Sequence, residues 1–440
     1  MKIGTMLCWL VVALAGYAGA GITYRPSDRI IRVSDYPAEY PCTPERIYAA
    51  DRRMGWNVAS YDRTDAVYTI TANLWIGNND GTETYFQIGN AGRTNETLIV
   101  NGNVVVYPDY IKDQNPEAYW WQAEKKVNRL TIGAATNAAI KATLKIGSAK
   151  GNEHTLYVGV VPLPNNTVLR ECHGGQMHVY NGTLTAAVQD KEHAVGAADQ
   201  NRMSYWCGDS HVLENATLSW MAGMTYGSIR SSSNTVFEHS GTVLVPDNVR
   251  HVGSIFRNLK TAILDNGSCD VELVDCVLTN NACNWSLVNG GKGVVTVDCQ
   301  IAPPTQGDVY RCWENPKTKI RRYPAWISRR HIVVAVKDEL GAAVTNAIVQ
   351  VHSEQEGLDL IDNGKTAVDK SGVTPARGSP KAILLTELIK LASDQPNEPT
   401  TREYTYGIRI TAPGYAPSEL KGFCPKSSGE VVAIMLHKGK

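Results

Sequence analysis

With 43 basic and 43 acidic residues among 440, the chain has no net charge to gather nucleic acid or an anionic membrane, so neither is an expected partner. Glycine is plentiful at 38 and phenylalanine scarce at 4, which suits many turns and short aliphatic strands. Beyond the first twenty residues nothing approaches the roughly 18 uninterrupted apolar residues that cross a bilayer as a helix, so membrane insertion is not expected either.

Met1-Lys2 is a short basic start, Met6 to Ala15 is apolar, and Ala18-Gly19-Ala20 is a small-residue cleavage site. Residues 1–20 therefore read as an export signal, and the mature chain is expected to be secreted or held at the cell surface. Cys8 lies inside the apolar stretch and is poorly placed to carry a lipid. Nine cysteines follow the signal, at 42, 172, 207, 269, 276, 283, 299, 312 and 424. An odd number leaves at least one thiol free or paired with another chain.

Residues 21–50 form a lead-in and cap. Within it Thr43 to Arg53 predicts a helix, with Thr43 as N-cap and Pro44 at the first helical position. From Val67 onward come short runs rich in Val, Ile, Thr and Tyr, such as Thr97–Val100, Leu130–Ile132 and Ala142–Ile146, bounded by Gly, Asn and Asp. These are strand signals.

A short pattern then repeats. Asn181-Gly-Thr-Leu184 follows His178-Val179, Asn215-Ala-Thr-Leu218 follows His211-Val212, and Ser240-Gly-Thr-Val243 follows Thr235-Val236. Two later copies carry Asp, in Asp275-Cys-Val-Leu278 and Asp298-Cys-Gln-Ile301. Read this way, the turn residues 181, 215, 240, 275 and 298 stand 34, 25, 35 and 23 residues apart. Recurrence at such intervals marks stacked coils, none of which can bury its apolar face alone. Over residues 51–303 the chain resembles the right-handed parallel β-helix proteins typified by pectate lyases. The resemblance implies a ladder of Asn and Asp at one turn, with Leu184, Leu218, Leu278 and Ile301 pointing inward.

Past Pro303-Pro304, residues 304–330 read as a linker, extended and basic between Asn315 and Pro324. Residues 331–440 resemble the carboxypeptidase regulatory-like domain, a small transthyretin-like β-sandwich that is an accessory module in its relatives. Inside it Ile383, Leu384, Leu388 and Leu391 have helical spacing and predict a helical insertion over residues 382–393. The whole is expected to be all-β, a right-handed parallel β-helix followed by a small β-sandwich.

Six of the ten histidines fall between 173 and 251, at His173, His178, His193, His211, His239 and His251. If His178 and His211 are equivalent on neighbouring coils they stack at about 4.8 Å, as an outward polar ladder. Cys172 with His178 and Cys207 with His211 could hold Zn²⁺, yet their spacing is not that of a zinc finger, and a Cys172–Cys207 disulfide suits adjacent coils better. Cys276 and Cys299 read as inward stacked thiols or a bridge between coils. No cofactor is predicted, with Ca²⁺ and Zn²⁺ left open and no metal ligand assigned.

Asp199, Arg202, Asp209 and His211 are the candidate catalytic groups, with Tyr205 and Trp206 as stacking surfaces for sugar. Glycoside hydrolysis needs two carboxylates about the bond. Elimination from a uronate needs a cation on the carboxylate and a base for the α-proton, and Arg230, Arg250 and Arg257 are further cations for it. No aspartate motif of polygalacturonase-like proteins and no arginine motif of pectate lyases is present, so the resemblance transfers no catalytic residue. The expected partner is an extracellular polysaccharide, met by a lyase or glycoside hydrolase. The alternative is a non-catalytic surface, adhesive or scaffold protein.

Overall fold

The computed structural model describes residues 21–78, 82–90, 94–108, 110–111, 128–147, 154–159, 161–162, 172–173, 175–191, 204–206, 211–225, 229–245, 249–265, 270–288, 293–355 and 365–439. The segment read as an export signal lies outside them.

Three long sheets are visited in rotation. Gln176–Tyr180 lies in sheet 1, Thr183–Ala186 in sheet 2 and Ser204–Trp206 in sheet 3, and His211–Glu214 returns to sheet 1 beside Gln176–Tyr180. The same order repeats through Gly293–Val297, Gln300–Ile301 and Val309–Tyr310, with parallel pairing from coil to coil. This is a parallel β-helix, as the repeats imply. One apolar core runs its length, from Ile31 to Tyr310.

The inward column of sheet 2 is Tyr68, Leu98, Leu144, Leu184, Leu218, Phe237, Phe256, Leu278 and Ile301, each in register with the next. Leu184, Leu218 and Leu278 are fully buried, and Ile301, on the last coil, packs against the core in part. Phe237 and Phe256 stack face to face at 4.8 Å, the spacing of adjacent strands.

The corner between sheets 1 and 2 takes two residues. The first is left-handed at Asn181, Asn215, Asn234, Gly253, Asp275 and Asp298, with φ between 48° and 64°. Asn and Asp tolerate that region better than other non-glycine residues. At Gly253 a Cβ would lie 2.5 Å from Asn234 Oδ1, so a side chain there would displace the neighbouring ladder amide. These corners stand 34, 19, 19, 22 and 23 residues apart, which corrects the register expected from the sequence. Ser240 belongs instead to the corner between sheets 2 and 3, where Trp220, His239, Asn258 and Asn280 are the left-handed residues.

The second residue of the first corner is small and inward: Gly182, Ala216, Thr235, Ser254, Cys276 and Cys299. Thr235 donates to the carbonyls of Ser233 and Leu213, two residues back and one coil back. Cys276 does the same with Val274 and His251, and Cys299 with Val297 and Leu273. Both cysteines are therefore free inward thiols occupying a small-residue column.

The helix Pro44–Met54 forms as expected, begins with Pro44, ends at left-handed Gly55, and closes the first coil by burying Ile47. At the other end the linker region is more structured than its sequence suggests. Val309–Tyr310 completes sheet 3, and Trp313–Glu314 pairs with Arg321–Arg322 as a hairpin. Ala325–Asp338 then runs 14 residues. Its first part pairs with Gly293–Val297 of sheet 1, and its second part with Glu430–Leu436. A single strand thus leaves the coil and enters a β-sandwich.

In the sandwich Lys365–Ala367, Ile348–Ser353, Tyr406–Thr411 and Ser418–Phe423 form the facing antiparallel sheet over a core of Val334, Val336, Val349, Ile408 and Leu436. The helical insertion is not formed. Residues 383–391 are a strand, because the exposed flank of Ala325–Asp338 offers a full row of backbone partners and Thr400–Glu403 pairs on its other side. Such pairing outweighs the helical spacing of four leucines and isoleucines.

Candidate functional site

Alternation within strands decides which histidines meet solvent. In Gln176–Tyr180, Met177 and Val179 are buried, so Gln176, His178 and Tyr180 face outward. His178 is in register with Val212 rather than His211, which removes the expected stack. His211 faces inward and is fully buried, with Nδ1 accepting the Met177 backbone N–H at 3.1 Å. Burial, and then the nearby His178, pull its pKa down to about 3. It is a neutral core side chain rather than part of an outward ladder.

His251 is also inward. It lies edge-on to Phe237 and Phe256, neither ring nitrogen has a hydrogen-bond partner among the described residues, and burial lowers its pKa to about 4. Asp199, Arg202, Asp209 and Cys207 lie outside the described residues. Tyr205 and Trp206 are in sheet 3, in register with Tyr157 and Val158. Their strand is therefore on a different sheet from His211. Arg250 and Arg257 are already paired, with Glu272 at 2.8 Å and Glu238 at 2.5 Å.

The outer face of sheet 1 brings together groups from four successive coils. Tyr85, Arg129 and Gln176 share one column. The Arg129 guanidinium lies 5.0 Å from the Tyr85 ring centroid, and its Nε and Nη2 donate to Gln176 Oε1 at 2.9 and 2.6 Å. It has no carboxylate partner among the described residues. A neutral amide and a ring hold this half-buried cation in place, and neither neutralises its charge.

Two residues along the strands, Gln87, Thr131, His178 and Val212 form the next column, and Tyr180 is followed by Glu214 in a third. The Tyr180 hydroxyl lies 3.2 Å from His178 Nδ1 with the rings perpendicular. Burial raises the Tyr180 pKa, Glu214 raises it further, and Arg129 opposes both, so the hydroxyl keeps its proton at neutral pH. A cation, a proton donor and a second titratable group thus share one surface. Among the described strand positions of this face from Tyr85 to Glu214, Glu214 is the one carboxylate. No group of three or more His, Cys, Asp or Glu is placed to hold a metal among the described residues.

This face was missed in the sequence because Tyr85, Arg129 and Gln176 are 44 and 47 residues apart, with no repeat to align them. The alternation in each strand was the available signal. Comparison of the chain with protein-family models, curated proteins and solved structures finds no match, so the fold and these side chains are what define it.

Proposed function

We propose that the chain engages an extracellular polysaccharide along the outer face of sheet 1, and that it acts there as a lyase on uronate units. The observation carrying this reading is Arg129, a positioned cation with no carboxylate partner among the described residues, one coil from the His178–Tyr180 pair. In β-elimination the guanidinium stabilises the charge that grows on the uronate carboxylate as the α-proton leaves. His178 takes that proton and Tyr180 gives one to the departing glycosidic oxygen. Hydrolysis fits less well, since it calls for two carboxylates flanking the bond.

The test is a panel of uronic-acid and neutral glycans, read by the ultraviolet absorbance of an unsaturated product and by new reducing ends. Unsaturated product from a polyuronate is expected, with Arg129→Ala and Tyr180→Phe each lowering kcat/KM by about 100-fold or more, the range of a lost electrostatic or acid–base group. Activity untouched by both substitutions overturns the site. The second reading, a non-catalytic scaffold, draws on the strand Ala325–Asp338, which joins coil and sandwich through one sheet. Tight glycan binding without turnover supports it.

A further inference from the structure

The hairpin Trp313–Glu314/Arg321–Arg322 gathers positive charge on a chain of zero net charge. It projects where the last strand of sheet 3 ends and before Ala325–Asp338 begins. Arg311, Lys317, Lys319, Arg321 and Arg322 are all exposed on it and beside it. Lys319 and Arg321 share Glu314 at 3.3 and 3.0 Å, and Arg321 also meets Asp394 at 2.9 Å. Arg311 and Lys317 have no carboxylate partner among the described residues. Glu314 and Asp394 thus offset part of the charge, and among the described residues that of Arg311 and Lys317 stays unmatched.

The hairpin is held in shape. Asn315 Oδ1 accepts the N–H groups of Lys317 and Thr318 at 2.9 and 3.0 Å, and the Tyr323 hydroxyl donates to Asp394 at 3.0 Å. Arg322 lies over the Trp313 ring at 5.7 Å. Ile320 is 60% exposed and Tyr323 38%, so apolar surface is interleaved with the charge. A fixed, partly apolar surface with excess cations is built to meet a polymer that carries sparse negative charge and has apolar faces of its own.

We infer that this hairpin is a second binding site, separate from the sheet 1 face, for an acidic polysaccharide chain. A glycan with one carboxylate per sugar suits it better than duplex nucleic acid, whose two charges per roughly 3.4 Å call for a broader basic surface than the rest of this zero-net-charge chain provides. Five strands of sheet 1 separate Gln176–Tyr180 from Ala325–Asp338, so the hairpin tethers the polymer farther along the same coil and raises its effective concentration at the sheet 1 face. The inference shares the ligand class of the proposed function and uses none of its residues.

The experiment measures binding of the full chain to polygalacturonate, to a neutral glycan and to duplex DNA from low to high salt. The comparison is between wild type, the triple variant Arg311→Ala/Lys317→Ala/Lys319→Ala, the single variant Lys317→Glu and Arg129→Ala, with circular dichroism confirming that each is folded. The triple variant is expected to bind polygalacturonate at least tenfold more weakly at low salt, with a shallower salt dependence. Lys317→Glu, which leaves the turn intact, is expected to move in the same direction. Unchanged affinity in both hairpin variants overturns the site, and stronger wild-type binding to DNA than to polygalacturonate overturns the ligand class. Loss of binding on Arg129→Ala alone leaves the sheet 1 reading standing and removes this one, while loss in the hairpin variants alone does the reverse.

Discussion

Placing two histidines inside the coil sets how the protein responds to acid. His211 and His251 have folded pKa values lowered to about 3 and about 4, against an ordinary value near 6.5. Their neutral forms are favoured in the folded state, so their contribution is complete above about pH 6.5 and is lost as pH falls towards those lower values. Each removes up to about 1.4 kcal/mol per pH unit across that window. Resistance to urea is expected to fall steadily from about pH 6.5 to pH 5, and His251→Phe, beside Phe237 and Phe256, to flatten the slope. An unaltered slope contradicts the buried neutral imidazole. Asp298 acts lower on the scale. Burial alone would raise its carboxyl, but the His331 ring and N–H, with Ser428, outweigh that and depress it. Its contribution is present above the usual aspartate range and fades as pH falls below about 4.

Asp275 and Asp298 also explain why the ladder changes from Asn to Asp on its last two coils. Arg377 of the sandwich makes a bidentate pair with Asp275 and lies 3.5 Å from Asp298, while His331 Nδ1 meets Asp298 at 2.6 Å. The acidic corners are the coils on which the C-terminal unit docks. Asp298→Asn keeps the corner and is expected to lose about 1–3 kcal/mol, the scale of charge-assisted hydrogen bonds at a buried group. Asp275→Asn, whose side chain is partly exposed, is expected to lose under about 1 kcal/mol. Chemical denaturation at neutral pH distinguishes the two. The letters themselves were readable in the sequence; the partner residues, 33 to 102 positions away, were not.

Among the elements, the corner between sheets 1 and 2 sets the register of every coil. Asn215 sits at φ 50°, and Asn234 Nδ2 donates to its Oδ1 at 3.2 Å. Asn215→Ala is expected to lose about 1–2 kcal/mol from the left-handed backbone, while Asn215→Gly stays near wild type. Equal losses from both would show that the side-chain ladder rather than the backbone conformation dominates. In the core column Phe237→Ala is expected to lose about 3–5 kcal/mol, because both stacked neighbours along the axis lose contact with it. The sequence made the Asn-x-Thr-Leu corners legible because turn and inward residue recur together. It concealed Asn234 and Gly253, since Phe and Gly replace the repeated letters there, and Ser240-Gly-Thr-Val243 matched the pattern at the wrong corner. The stretch from Ile383 to Leu391 misled for a related reason. Its spacing is local, whereas its pairing with Ala325–Asp338 and Thr400–Glu403 is not.

At the scale of the whole molecule, coil and sandwich share the strand Ala325–Asp338, so the second unit also covers the edge that sheet 1 would otherwise expose. A chain ended at residue 303 leaves the backbone of Gly293–Val297 unpaired along that side, and exposed parallel edges recruit other chains. It is expected to elute as aggregates on size exclusion while the full chain does not. The all-β stacked architecture was legible because it is repeated, and repetition survives insertions. The face carrying Arg129, His178 and Tyr180 was not, because it arises only when strands from distant parts of the chain are laid side by side in register. The most direct test is a crystal structure with a uronate oligosaccharide bound. A sugar carboxylate on the Arg129 guanidinium, with the glycosidic oxygen facing Tyr180, is the expected result; an oligosaccharide bound elsewhere, with Arg129 still turned to Gln176 and Tyr85 alone, contradicts the account.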